Sequence, residues 1–291
     1  MMKEGIVVKA YGGHYYVFTD GATSDCHLRG RFRREKEAVL VGDRVFWRPV
    51  GPDRGVIEEI SPRRTVLWRP PVANVNRVLI IFAVKEPAPS TFLLDRLLIQ
   101  AEHAGVEPAI CLNKVDLGAE GVREMVEAYG RAGYTVLCTS ATEGSGLDDL
   151  RALLQRGITV LAGPSGVGKS SLLNALIPGL NLKTGEVSRK VGRGRHTTRH
   201  VELLSLPGGG LVADTPGFST LYLPDMKREE LGEYYPELAA RRGDCRFSLC
   251  LHFQEPDCAV KQAVLAGEIP SFRYENYLQL LQEVMEQERR Y

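Results

Sequence analysis

The chain has 291 residues, 44% of them hydrophobic, with 37 Lys and Arg against 36 Asp and Glu. That length suits two or three packed domains, and a net charge of +1 gives no overall drive toward nucleic acid or a charged membrane surface. The longest apolar run, VLIIFAV at 78–84, is far too short to span a bilayer, and the N-terminus shows neither an apolar h-region nor a small-residue cleavage site. A cytoplasmic chain with no membrane partner is expected.

Residues 1–68 read as short strands (GIVVKA, HYYVFT, DCHLRG, GDRVFWR, GVIEEI) separated by turn residues. Regular short strands with such punctuation indicate a small β-barrel, either OB-like (the oligonucleotide-binding kind) or SH3-like. RGRFRREK at 29–36 sets five basic residues around Phe32, with Tyr15, Tyr16, Phe46 and Trp47 on nearby strands. Basic and aromatic surface suits RNA, although several of these rings must also fill the small core. RPPVANVN at 69–76 reads as a linker.

From 77 to about 221 strands alternate with helices, and the strands are continuous apolar runs. That pattern implies an α/β domain over 69–222, built on a mostly parallel sheet covered on both faces. Residues 223–291 read as a helical domain around a cysteine cluster, ending in an amphipathic helix. Of the three other cysteines, Cys111 and Cys138 lie in apolar runs and Cys26 near a turn, and all three are expected to be ordinary buried residues.

GPSGVGKSS contains the phosphate-loop pattern between a β-branched strand and a helix. Gly163, Pro164, Ser165, Gly166, Val167 and Gly168 would wrap phosphates at a helix N-terminus through the backbone N–H groups of all but Pro164, followed by Lys169, Ser170 and Ser171. Lys169 would neutralise phosphate charge in the reaction, and Ser170 would ligate Mg²⁺. Earlier in the chain, Asn113, Lys114, Val115 and Asp116 form an N-K-x-D pattern at a strand end. Guanine offers N1–H and an N2 amine, two donors that the single Asp116 carboxylate can accept. Adenine lacks them and would leave that carboxylate desolvated and unpaired. Ser140 and Ala141, after the next strand, could turn backbone N–H groups toward guanine O6. DTPG adds Asp214 for Mg²⁺ and Gly217 for the γ-phosphate. Each motif follows its own strand, at the edge where open α/β sheets bind ligands.

The order is base, base, phosphate loop, D-x-x-G, whereas a linear GTPase begins at the phosphate loop. Cutting the cycle after the D-x-x-G strand and joining the old termini produces this order with every strand neighbour kept. With NKVD, GPSGVGKSS, GRGRHTTRH and DTPGF between a small barrel and a Cys/His cluster, the whole chain resembles the ribosome small-subunit-dependent GTPase A family of bacteria. The resemblance implies an OB-like barrel, a circularly permuted P-loop GTPase domain and a C-terminal zinc-binding domain. It also implies GTP hydrolysis to GDP and phosphate, stimulated by the small ribosomal subunit during late maturation. The partners expected are that subunit, its rRNA and GTP/GDP, with no DNA and a monomeric chain.

Phe218 stands directly after D-x-x-G, where Ras-like enzymes carry a water-orienting glutamine. Slow hydrolysis in isolation follows. His196, in the basic segment 187–200, is the candidate to complete the site, or else a contact to phosphate or RNA. One of Thr197 and Thr198 should be the switch threonine on Mg²⁺. Cys245, Cys250, His252 and Cys258 make a closed Cys₃His set suited to one structural Zn²⁺. An ATP-using P-loop kinase or transferase and a non-hydrolysing GTP-binding scaffold are the competing classes. His14 and His103 read as surface residues.

Overall fold

The computed structural model describes residues 1–30, 38–68, 70–118, 120–183, 201–213 and 223–289. Strands β1 (Lys3–Tyr11), β2 (His14–Thr19), β3 (Ala22–Leu28), β4 (Arg44–Gly51) and β5 (Arg54–Ile60) close into a barrel in the order β1-β2-β3-β5-β4. The parallel β3–β5 pair within this five-stranded closure favours the OB-like reading over the SH3-like one. Alternation sends Val7, Val17, Cys26, Val45, Trp47 and Ile57 inward. Gly55 lies beneath Trp47, and a Cβ there would come within 2.3 Å of the indole. Trp47 is therefore a core residue, its Nε1–H donating to Thr19 Oγ1 at 3.1 Å. The buried Asp43 carboxylate accepts two bonds from Arg63, at 2.7 and 2.8 Å, and fastens the chain leaving the barrel.

The expected linker at 69–76 is corrected. Strands β6 (Val66–Trp68) and β7 (Pro71–Ala73) form an antiparallel ribbon, and β8 (Val75–Ala83) begins two residues later. Asn74, at φ 56°, makes the join: its Nδ2 donates to the Gly42 carbonyl and its Oδ1 accepts from Arg64 N. Leu67 and Val72 bury their side chains in one cluster with Val8 and Val41 of the barrel region and Val75 and Val78 of the sheet. Pro71 is compatible with a short ribbon of this kind because it stands at the first residue of β7, where strands tolerate proline.

The second sheet runs β10-β9-β8-β11-β13-β12, with β9 (Glu107–Asn113), β10 (Thr135–Thr139), β11 (Ile158–Ala162), β12 (Leu203–Ser205) and β13 (Leu211–Ala213). Every pair is parallel except β12 with β13. The two apolar layers on its faces match the expectation of a doubly covered sheet. Helices α1 (Thr91–His103) and α2 (Arg123–Arg131) cover one face, α3 (Leu147–Leu154) and α4 (Lys169–Leu176) the other. Cys26 and Cys111 are buried as expected, but Cys138 is exposed. It lies on β10, the edge strand, which has a neighbour on one side only.

The C-terminal region packs the one-turn helix α5 (Pro236–Ala239), α6 (Ala259–Leu265) and α7 (Ser271–Glu288) around Leu231, Tyr235, Leu238, Tyr277 and Leu281. Two polar residues of α7, Arg273 and Asn276, lie in its buried stripe rather than on its wet face. Both donate to Asp95 of α1, which also accepts from Tyr129 and Tyr235. Arg273 further grips Glu237 of α5 at 2.6 Å and stacks over Tyr235 at 4.4 Å. A buried cation is thus shared by two carboxylates and joins α7 to α1. Among the described residues no helix is long and apolar enough to cross a membrane.

Candidate nucleotide site and metal centre

The permutation is visible in the sheet. Strand β11, which feeds the phosphate loop, is central, with β8 on one side and β13 on the other. Because β9, β10, β11 and β13 all point the same way, their C-terminal ends share one edge of the sheet. Asn113 ends β9, Thr139 ends β10, Ala162 ends β11 and Ala213 ends β13.

The phosphate loop leaves β11 at Gly163, whose φ of 123° brings its α-carbon so close to the Ile81 carbonyl that a Cβ would sit 2.1 Å from that oxygen. It enters α4 through Gly168 at φ 97°, where a Cβ would lie 2.3 Å from Asn113 Nδ2. Both glycines are thus required by backbone conformation and by close approach. Val167 is buried and anchors the loop from below, while Ser165 and Gly166 are exposed. Pro164, Ser170 and Ser171 are half-buried. Lys169 folds back so that its ammonium donates to the carbonyls of Gly163 and Pro164, at 2.8 and 2.6 Å. A phosphate arriving at the loop would meet this charge at its rim.

Asn113 is buried and fully engaged. Its Nδ2 donates to the Val167 carbonyl at 2.9 Å, and its Oδ1 accepts from Thr139 Oγ1 at 3.1 Å. The base-reading loop, the phosphate loop and the end of β10 are therefore tied by one side chain. The chain then turns through Lys114, a left-handed residue at φ 65°, into the 3-10 turn Val115–Leu117. This turn presents Asp116 to solvent. Ser140 Oγ donates to Asp116 Oδ1, and that bond, with a smaller contribution from Lys114, holds the carboxyl below its ordinary range. Lys114 Nζ donates to the Glu86 carbonyl at 2.6 Å. Ser140 is itself buried and also accepts from Glu143 N, while Ala141 is half-buried beside it. The structure thus brings Asn113, Lys114, Asp116, Ser140 and the 163–171 loop to one edge. Asp214, Gly217, His196, Thr197, Thr198 and Phe218 lie outside the described residues.

The cysteine cluster is compact. His252 Nδ1 lies 3.5 Å from Cys245 Sγ and 3.3 Å from Cys258 Sγ, and the two sulfurs are 3.9 Å apart. A tetrahedral zinc with Zn–S of about 2.3 Å and Zn–N of about 2.05 Å would separate its ligands by about 3.8 Å (S to S) and about 3.6 Å (S to N). The donor set and spacing therefore fit one zinc ion, with Cys250 as the fourth ligand. His252 sits at φ 56°, and its loop is braced: Tyr274 donates to the His252 carbonyl and Tyr277 to the Leu251 carbonyl, each at 2.7 Å. The Glu255 carboxylate accepts from Leu251 N and Phe253 N. This bracing, and the Arg273–Asp95 pair, escaped the sequence reading. Arg273 stands in phase with Tyr277, Leu280 and Val284, and that phase was the available signal.

Comparison with known proteins agrees with this geometry. The chain matches the RsgA GTPase family over residues 60–224 and the RsgA N-terminal domain over 4–57. It is 54% identical to the small ribosomal subunit biogenesis GTPase RsgA of Moorella thermoacetica, covering 98% of this chain and 99% of the relative. Its counterpart in Carboxydothermus hydrogenoformans is 50% identical over the same shares. Among solved structures it is similar to YjeQ of Thermotoga maritima, at a TM-score of 0.84 and 39% identity, covering 98% of this chain and 99% of that one. It is likewise similar to YloQ, described as a circularly permuted GTPase, at 0.83 and 39%, covering 99% and 96%. With the phosphate loop on a central strand and the base-reading loop on the strand beyond its neighbour, the chain belongs to the RsgA GTPase family and is a circularly permuted GTP hydrolase.

Proposed function

We propose that this GTPase acts in small ribosomal subunit biogenesis, the role its relatives' names carry. It binds the small subunit and its rRNA, hydrolyses GTP to GDP and phosphate in the cytoplasm as a monomer, and is accelerated by the subunit. The observation that carries the guanine part of this reading is the Asn113 tie between the base-reading and phosphate loops. It sets Asp116 at a fixed offset from the phosphate cradle.

In this reading Asp116 accepts N1–H and the N2 amine of guanine, Asn113 holds the loop, and Val115 and the Lys114 stem flank the ring. The Ser140 N–H donates to the Ser145 carbonyl at 3.0 Å, so of the expected pair it is the Ala141 N–H that faces guanine O6. Residues 163–171 bind the phosphates, and Lys169 exchanges its carbonyl partners for phosphate oxygens when nucleotide arrives. Mg²⁺, held by Ser170, Asp214 and one of Thr197 and Thr198, would supply charge neutralisation at the β- and γ-phosphates. Gly217 meets the γ-phosphate. His196 completes the hydrolytic site only when the subunit is docked, since Phe218 offers no group to orient water. One zinc, held by Cys245, Cys250, His252 and Cys258, braces the C-terminal domain. The domains run 1–68, 69–222 and 223–291.

The test is Asp116→Asn. An amide loses the charged acceptor for guanine but offers an N–H to xanthine, which carries a carbonyl at C2. GTP affinity should fall by roughly a hundredfold or more while XTP affinity rises. Unchanged GTP affinity in nucleotide titration would remove Asp116 from base recognition.

A further inference from the structure

We propose a second metal site, on the outer face of the barrel, formed by His14, Asp25 and His27 and taking a divalent first-row transition ion. Strands β2 and β3 pair Tyr15 with Cys26 and Tyr16 with Asp25, so the next position sets His14 opposite His27. Asp25 and His27 are two apart on one strand and share a face. The intervening Cys26 is fully buried and points into the barrel, so the thiol takes no part.

The three side chains converge. His14 Nδ1 lies 3.0 Å from both oxygens of Asp25, and the two imidazole centroids are 4.6 Å apart. One ring nitrogen of each histidine and one carboxylate oxygen all fall within 4.8 Å of one another. Bonds of about 2.1 Å to a metal would set such donors about 3.0–3.4 Å apart at right or tetrahedral angles. The remaining closure is a small rotation of half-exposed side chains. His27 Nδ1 lies 3.3 Å from the Gly13 carbonyl, and donating there leaves Nε2 as the ring's acceptor nitrogen, able to ligate an ion. A ring N–H spent on a backbone carbonyl is the usual support of a metal-binding histidine.

The donor set defines the ligand. Two imidazoles and one carboxylate suit zinc, nickel, cobalt or ferrous ion, whereas the soft Cys₃His set of the C-terminal domain favours zinc. Unlike that closed cluster, the barrel triad leaves coordination positions toward solvent. An ion here would carry water or an external oxygen anion. The alternative is a plain His14–Asp25 hydrogen bond pinning the hairpin, with His27 a bystander.

The experiment uses the full, tag-free chain with its cysteine cluster already loaded with zinc and no nucleotide present. Ni²⁺ is titrated calorimetrically into the native chain, the His14→Ala/His27→Ala variant and Asp25→Asn. The native chain should take one Ni²⁺, and each variant should bind it at least tenfold more weakly. Paramagnetic broadening in the native chain should centre on residues 13–16 and 25–27. The proposal is overturned if the native chain takes up no Ni²⁺. It is equally overturned if the double variant binds as tightly, or if the broadening lies elsewhere. Because all three side chains face outward, circular dichroism of each variant should match the native chain.

Discussion

The side-chain amide of Asn113 donates to the main-chain carbonyl of Val167 at 2.9 Å, joining loops 54 residues apart in sequence. The same amide accepts from Thr139, so three strand ends meet on one buried residue. Gly168 has to be a glycine partly because Asn113 occupies the space its Cβ would take. The 163–171 loop and the 113–118 loop are therefore tied through Asn113, whichever comes first in the chain.

Asn113→Ala leaves the Val167 carbonyl and the Thr139 hydroxyl buried without this partner. A stability loss of about 1–3 kcal/mol is expected, with GTP affinity falling by more than ADP or ATP controls can account for. Denaturant unfolding and nucleotide titration of the same preparation check both parts.

Arg273→Ala removes the cation shared by Asp95 and Glu237 and leaves the buried Asp95 and part-buried Glu237 carboxylates without it. Loss of about 3–5 kcal/mol is expected, because a buried charge without its partner costs more than the pair contributes. Replacing Arg273 and Asp95 together by apolar residues of similar volume should recover much of that loss. A thermodynamic cycle over the two single variants and the double variant measures the coupling.

Cys258→Ser, or exhaustive chelation, should detach metal binding from the C-terminal core. Cys250 and Cys258 are buried in the same cluster as Tyr235 and Tyr277, so ligand loss also loosens packing. Loss of about 3 kcal/mol or more corresponds to a midpoint lowered by roughly 10 °C or more for that region. Calorimetry with elemental analysis reads both the metal content and the shift.

The glycines and the N-K-x-D tetrapeptide were legible because their meaning is local: a strand end, a positive φ, a helix start. The permuted connectivity was legible too, since the motif order says where the cycle is cut while every strand neighbour is kept, and β11 lies between β8 and β13. The last helix reads as amphipathic, and Arg273 lies in its buried phase with Tyr277 and Leu280. A charged residue at a core position declares itself only once Asp95 and Glu237 are seen beside it. The ribbon at 66–73 was hidden for a similar reason. Its prolines suggested a linker, while Asn74 makes its contacts with Gly42 and Arg64, ten or more residues away. His14 was set aside as an isolated surface residue because cross-strand neighbours do not appear in a linear reading.

Steady-state GTP hydrolysis by the purified chain, with and without isolated small ribosomal subunits, tests the account most directly. Slow turnover alone, a rise of at least tenfold with subunits, and loss of that rise in His196→Ala are the predicted results, since the missing group then enters only on docking. Equal rates with and without subunits would contradict it.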